Sequence, residues 1–260
     1  MSLMPQMQSK GCPRGKLTLL QEDSKVKFMF SKKHTPFLTL FFLVLMVSST
    51  YAQMEPTGNI APLLTGRNVL AGSAHNDSPG SSDLTLIVQL KVDGNIVIDE
   101  GSSIKVIQPL QNIPSDADPT GWTQPDFDDS GWQDGTYGVG YGDGDDNTVI
   151  GDGNNATLYT RAVFDLANRS VISTLTLGVD YDDGCVIWIN GIQVARTAGT
   201  DIPEVYGFDA WTDTGSSQSH EASKTDPPTY EVLELKFEVG TAVEPAGKLA
   251  TSWGKIKAKY

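Results

Sequence analysis

Residues 175–196 read LTLGVDYDDGCVIWINGIQVAR, and the order of residue types in this stretch decides the fold class. Three apolar or β-branched runs, 175–181, 185–190 and 192–196, are separated by Asp183-Gly184 and Asn190-Gly191. Such dipeptides accept the positive φ of a two-residue reverse turn, so the stretch predicts a three-stranded antiparallel meander. Side chains alternate across a strand with a period of two. Cys185, Ile187 and Ile189 therefore share one face, and Val186 and Trp188 the other.

The same grammar extends outward from this stretch. Runs at 84–90 (LTLIVQL), 96–99, 103–107, 158–164 and 230–239 lie between clusters of Gly, Asp, Asn and Pro. Short strands at regular spacing, with turn signals between them, predict an all-β sandwich or barrel. No window of the chain beyond residue 52 and before the last dozen residues sustains a helical period. At the very end Leu249, Trp253 and Ile256 fall at i, i+4 and i+7 among lysines, which suits a short amphipathic helix in a Lys/Trp tail over 241–260.

Composition excludes several classes. The 260 residues carry 19 Lys+Arg against 32 Asp+Glu, a formal net charge of −13, which argues against a nucleic-acid binder needing a basic face. Two cysteines can build neither a disulfide scaffold nor a four-thiolate zinc site. The charge is also uneven. The first 52 residues hold 7 basic and 2 acidic residues, which leaves 12 basic and 30 acidic residues, net −18, in the remaining 208. Lys32-Lys33-His34, the apolar run FLTLFFLVLMV at 37–47 and the small residues up to Ala52 together describe a secretory signal peptide. The run is shorter than the roughly 20 residues that a spanning helix needs. The expectation is a start at Met29 with 1–28 as a gene-model extension, a signal peptide over 29–52 and cleavage after Ala52. The mature chain then works outside the cell, secreted or at the cell surface, with the periplasm as the other possibility. Cys185 is then its sole cysteine, read as a buried thiol.

Four stretches carry a family resemblance: WTQPDFDDSGW at 122–132, YGVGYGDGDDNT at 137–148, LYTRAVF at 158–164 and VDYDDGCVIWINGIQVAR at 179–196, with His220-Glu221 downstream. In this order they resemble the galactose-binding-domain-like jelly rolls appended to secreted glycoside hydrolases and large bacterial surface proteins. The likeness covers roughly residues 100–238. It implies a jelly-roll β-sandwich of about eight strands, non-catalytic, with ligands held in loops at one end or on a concave face. One departure stands out. The closing hairpin expected after the His-Glu region is found at the front, as GRNVLA at 66–71, His75-Asn76 and SSDLTLIVQL at 81–90. Two explanations compete: a circular permutation in which 60–90 supplies the closing strands of one sandwich spanning 53–240, or the stump of a lost preceding copy. The first predicts that 81–90 pairs beside the strand at 230–239.

Catalytic constellations are sparse. Only His75 and His220 follow the leader, and no G-x-S-x-G elbow is present. The pairs Asp128-Asp129 and Asp182-Asp183 adjoin turns, where Asp caps its own backbone. No catalytic activity is expected. Calcium takes six to eight hard oxygens from flexible loops, and Asp143, Asp145, Asp146, Asn147 and Asp152 lie in one Gly-rich stretch that offers them. The resembled modules often hold structural calcium, and this loop is the candidate for it. A sugar site needs an aromatic platform with polar neighbours. Trp211, with Tyr206, Asp209, Asp213 and His220 around it, is the candidate, whereas Trp122, Trp132 and Tyr141 are read as core. The function expected is a carbohydrate-binding or adhesive module that takes a glycan or cell-surface polysaccharide as partner. The alternative is a spacer domain of a cell-surface assembly with a docking or sorting tail.

Overall fold

The computed structural model describes residues 53–238 apart from 143, 145, 152, 199, 201 and 213–219. The leader, the C-terminal tail, Asp143, Asp145, Asp152 and Asp213 thus lie outside the described residues. The chain runs β1 (Gln53–Pro56), β2 (Gly66–His75), β3 (Leu84–Val92), β4 (Asn95–Ile98), β5 (Ser103–Ile107), β6 (Gln133–Thr136), β7 (Val139–Tyr141), β8 (Thr148–Val149), β9 (Thr157–Leu166), β10 (Leu175–Tyr181), β11 (Gly184–Ile189), β12 (Ile192–Ala198) and β13 (Glu231–Glu234). Two sheets result, ordered β1-β12-β11-β2-β9-β5-β6 and β13-β10-β3-β7-β8, with β4 pairing β3. Among the described strand pairs, only the short β7–β8 pair is parallel. The protein is an all-β sandwich.

The alternating pattern builds the core directly. Leu84, Leu86, Val88 and Leu90 of β3, Leu175, Leu177 and Val179 of β10, and Cys185, Ile187 and Ile189 of β11 meet in one fully buried cluster. At about 1.5–3 kcal/mol for each large apolar side chain removed from water, this layer dominates the favourable side of folding. The other face of β11 is buried too. Val186 and Trp188 pack with Trp122, Trp132, Tyr159, Ile202 and Tyr206 in a second, aromatic layer. Trp122 stacks on Tyr159 at 4.2 Å between centroids. Loops from 108–132 and 202–212 therefore cover the outside of the seven-stranded sheet, and its central strands are buried on both faces.

The predicted meander is corrected in one respect. Asn190 (φ 48°) and Gly191 (φ 83°) close a true hairpin between β11 and β12. Asp183 also has positive φ, at 56°, yet Asp182-Asp183 joins no hairpin. β10 pairs with β3 and β13 in one sheet, while β11 pairs with β2 and β12 in the other. The turn carries the chain across the sandwich.

Residues 66–92 are central to the fold. β2 lies between β9 and β11, in ten-residue register with β9, and β3 lies between β10 and β7. The pairing expected between 81–90 and 230–239 is not direct, because β10 stands between β3 and β13. Strand β13 covers only Glu231–Glu234. Its Glu231 closes one edge of the sandwich, accepting from the Met54 amide of β1 at 2.7 Å and facing His220 Nε2 at 3.0 Å.

Candidate ligand site at the loop end of the sandwich

Four connections converge at one end of the molecule. The Asp77 amide donates to Asp183 Oδ2 at 2.8 Å, the Asp183 amide to the His220 carbonyl at 2.7 Å, and the Gly80 amide to the Gly153 carbonyl at 2.6 Å. Tyr141 Oη donates to Asn76 Oδ1 at 3.0 Å, and Asn76 Nδ2 to the Asn155 carbonyl at 2.6 Å. Asn76 thus ties two loops to the end of β2, next to His75.

Between these loops lies a cup of about 320 Å³ lined by Asp77, Asp83, Asp182, Asp183 and Glu221 with several serines. Asp182 and Asp183 are 4% and 5% exposed. Burial, reinforced by the Asp183, Asp83 and Glu221 charges, pushes the Asp182 carboxyl up to about 8. Burial likewise lifts Asp183 to about 7, with Asp77 and Glu221 adding to the effect against the Asp77 amide. A single cation stands near this cluster among the described ion pairs, Lys224 Nζ, 4.0 Å from Asp83 Oδ2. Carboxylates and serine hydroxyls are the donor set that hard divalent ions prefer. Among the described residues, however, no three carboxylate, imidazole or thiolate groups converge as a ready-made coordination sphere.

A second recess, of about 240 Å³, lies on the outer face of the six-stranded sheet. Its floor is Thr85 and Ile87, the outward residues of β3, opposite Gly140 and Asp180 in register. One wall is the 221–230 segment. Ser223 fastens it by donating through its amide and hydroxyl to the Asp180 carboxylate, and Tyr230 Oη by donating to Asp99 Oδ1 at 3.0 Å. Gly178 makes room for this segment, since a Cβ there would meet the Tyr230 ring at 3.1 Å. The opposite wall is Glu100 and Asn147, whose Nδ2 donates to Glu100 Oε1 at 3.2 Å and to the Tyr137 carbonyl at 2.9 Å.

Of the residues expected to form a sugar site, Tyr206, Asp209, Trp211 and His220 are described, and Tyr206 and His220 sit against different sheets. Tyr206 is 4% exposed and belongs to the aromatic layer outside the seven-stranded sheet, beside Trp188. It is a packing residue, not an exposed neighbour of a platform at Trp211. His220 stacks on Tyr181 of the other sheet at 4.1 Å, and both of its ring nitrogens face oxygens, the Tyr181 carbonyl and Glu231. Trp211 is half-buried and Asp209 exposed. Of the expected calcium loop, Asp146 and Asn147 line the recess over β3. Asp128 caps the Ser130 amide at 3.0 Å as a turn residue, whereas Asp129 holds Arg161.

Sequence reasoning missed a buried polar chain. His75 Nδ1 faces the Ala210 carbonyl at 2.8 Å, so Nδ1 carries the proton and donates. Nε2 then accepts from Ser73 Oγ at 2.8 Å, which leaves Ser73 Oγ to accept from Tyr206 Oη at 2.7 Å. Burial lowers His75 to about 4. Serine and histidine stand two residues apart on β2, a spacing that puts both on one face, but nothing in the sequence says that the face is covered. With all three side chains buried, the pair is closed to substrate in this conformation. The chain matches no protein-family model, no curated protein and no solved structure.

Proposed function

We propose that this protein is a non-catalytic carbohydrate-binding or adhesive module of jelly-roll type, acting outside the cell. The observation that carries the reading is the pairing of two polar recesses at and beside one loop end, walled by Asp, Glu, Asn, Ser and Thr side chains. Such groups recognise hydroxyl-rich ligands by hydrogen bonding at positions set by a rigid scaffold. The nearest arrangement to a nucleophile and base, Ser73 with His75, is spent on internal hydrogen bonds. Binding of the full chain to a glycan microarray, with no reducing sugar released from the bound glycans, is the test. An array without any bound glycan would remove the reading.

Calcium is a second part of this proposal, favoured by the acidic cup. Asp77, Asp83, Asp182, Asp183 and Glu221 would hold the ion, with the serine hydroxyls completing an oxygen shell. When bound, calcium supplies positive charge that relieves carboxylate repulsion and ties the loops together. The fit is one of donor chemistry, since the carboxylates do not already converge.

A further inference from the structure

The floor of the recess over β3 holds a buried hydroxyl without a partner. Thr85 is 4% exposed, and its Oγ1 is buried without a hydrogen-bond partner. Thr123, Thr148, Thr157, Thr160 and Thr197 are buried to a similar degree, and each hydroxyl donates to a backbone oxygen. A buried hydroxyl left unpaired opposes folding, and native proteins leave few of them. Thr85 lines the floor of the recess beside Ile87. A ligand hydroxyl at that point would complete it.

The lining narrows the ligand class. About 240 Å³ is below the roughly 300–1,000 Å³ of pockets for drug-sized ligands, so the space suits one ring and not a dinucleotide or an extended chain. Glu100, Asp146 and Asp226 disfavour an anion, and Lys224 offsets part of their charge. A neutral ligand with many hydroxyls suits both signs, donating to the carboxylates and accepting from the ammonium. Ile87 offers an apolar patch for a C–H face. We propose that the recess over Thr85 and Ile87 is a subsite for a single hexopyranose ring, with one sugar hydroxyl hydrogen-bonded to Thr85 Oγ1. The inference rests on the carbohydrate-binding reading and adds its place and the size of the recognised unit.

The test uses the full chain and its Thr85→Val and Thr85→Ser variants, titrated calorimetrically with the methyl glycosides of glucose, galactose, mannose and N-acetylglucosamine. At least one glycoside is expected to bind the wild type. Thr85→Val should weaken that binding about tenfold or more, while melting without sugar at or above the wild-type temperature, because an orphaned hydroxyl has been removed. Thr85→Ser should retain binding. A merely structural threonine would not give that opposition between stability and affinity. Glycosides bound equally by wild type and Thr85→Val would overturn this site while leaving the carbohydrate-binding reading intact. Array glycans bound without any single glycoside would overturn the one-ring subsite. No binding to either would overturn both.

Discussion

Arg161 Nε donates to Asp129 Oδ2 at 2.7 Å from a side chain that is completely buried. The same guanidinium donates to the carbonyls of Trp122, Gln124 and Phe127 and lies 5.3 Å from the Phe127 ring centroid. One strand residue of β9 therefore organises the 122–129 loop, which in turn places Trp122 on Tyr159. Removing one partner of a buried pair costs about 3–5 kcal/mol, since the remaining polar groups lose their compensation. Arg161→Met is expected to destabilise by about that much in denaturant unfolding, and Asp129→Asn by less because three carbonyls still hold the guanidinium.

His75 gives the stability a pH dependence of known sign. Its folded value of about 4 lies below the ordinary histidine value of 6.5, because burial disfavours the imidazolium and Arg196 adds to the effect against the Ala210 carbonyl. Stability from the neutral ring is complete above pH 6.5 and is lost as pH falls toward 4, to a total on the order of 3 kcal/mol. The buried Asp182 and Asp183, with raised values, act in the opposite sense across overlapping pH. The comparison that isolates His75 is therefore wild type against His75→Asn. The wild-type advantage at pH 7 should shrink steadily toward pH 4 in thermal unfolding, and a constant difference would refute the assignment.

Calcium binding at the acidic cup should appear as added stability. A ligand present at about 100 times its Kd adds about 2.7 kcal/mol to the state that binds it, so millimolar calcium should raise the melting temperature by about 5 °C or more. Asp182→Asn should melt higher than wild type without calcium, having lost a carboxyl that burial forces to take up a proton on folding, and should respond less to the ion. An unchanged melting temperature in millimolar calcium would remove the calcium proposal.

The central position of β2 and β3 makes a truncation informative. A chain beginning at residue 95 would leave β9, β11, β10 and β7 with unpaired edges and open the core at Leu70, Leu86 and Leu90. It should show no cooperative unfolding transition, whereas a chain beginning at residue 53 should unfold in one. Equal stability of the two would contradict the sheet order.

Much of the strand content was legible because alternation is a local signal. The runs at 103–107 and 175–181 coincide with β5 and β10, and the opposite faces of Cys185 and Val186 follow from a period of two. Partners were not legible. Asp183 and Asn190 each adopt positive φ before glycine, but only Asn190 turns the chain back on the preceding strand. The dipeptide sets a turn, while the sheet that receives β10 depends on β3, some 85 residues earlier. The short strands β6, β7 and β8 have too few residues for a period to show. Tyr206 read as a ligand-site neighbour of Trp211 because the stretch around it is polar. What buries it is the outer face of β11, which no local pattern reports.

Amide hydrogen exchange of the full chain, with and without a glycan selected on the array, locates the bound sugar on the sandwich. Slowed exchange is expected at Thr85, Ile87 and 223–226, the floor and wall of the recess. Slowing confined to 209–212, around Trp211, or absent from the chain, would contradict it.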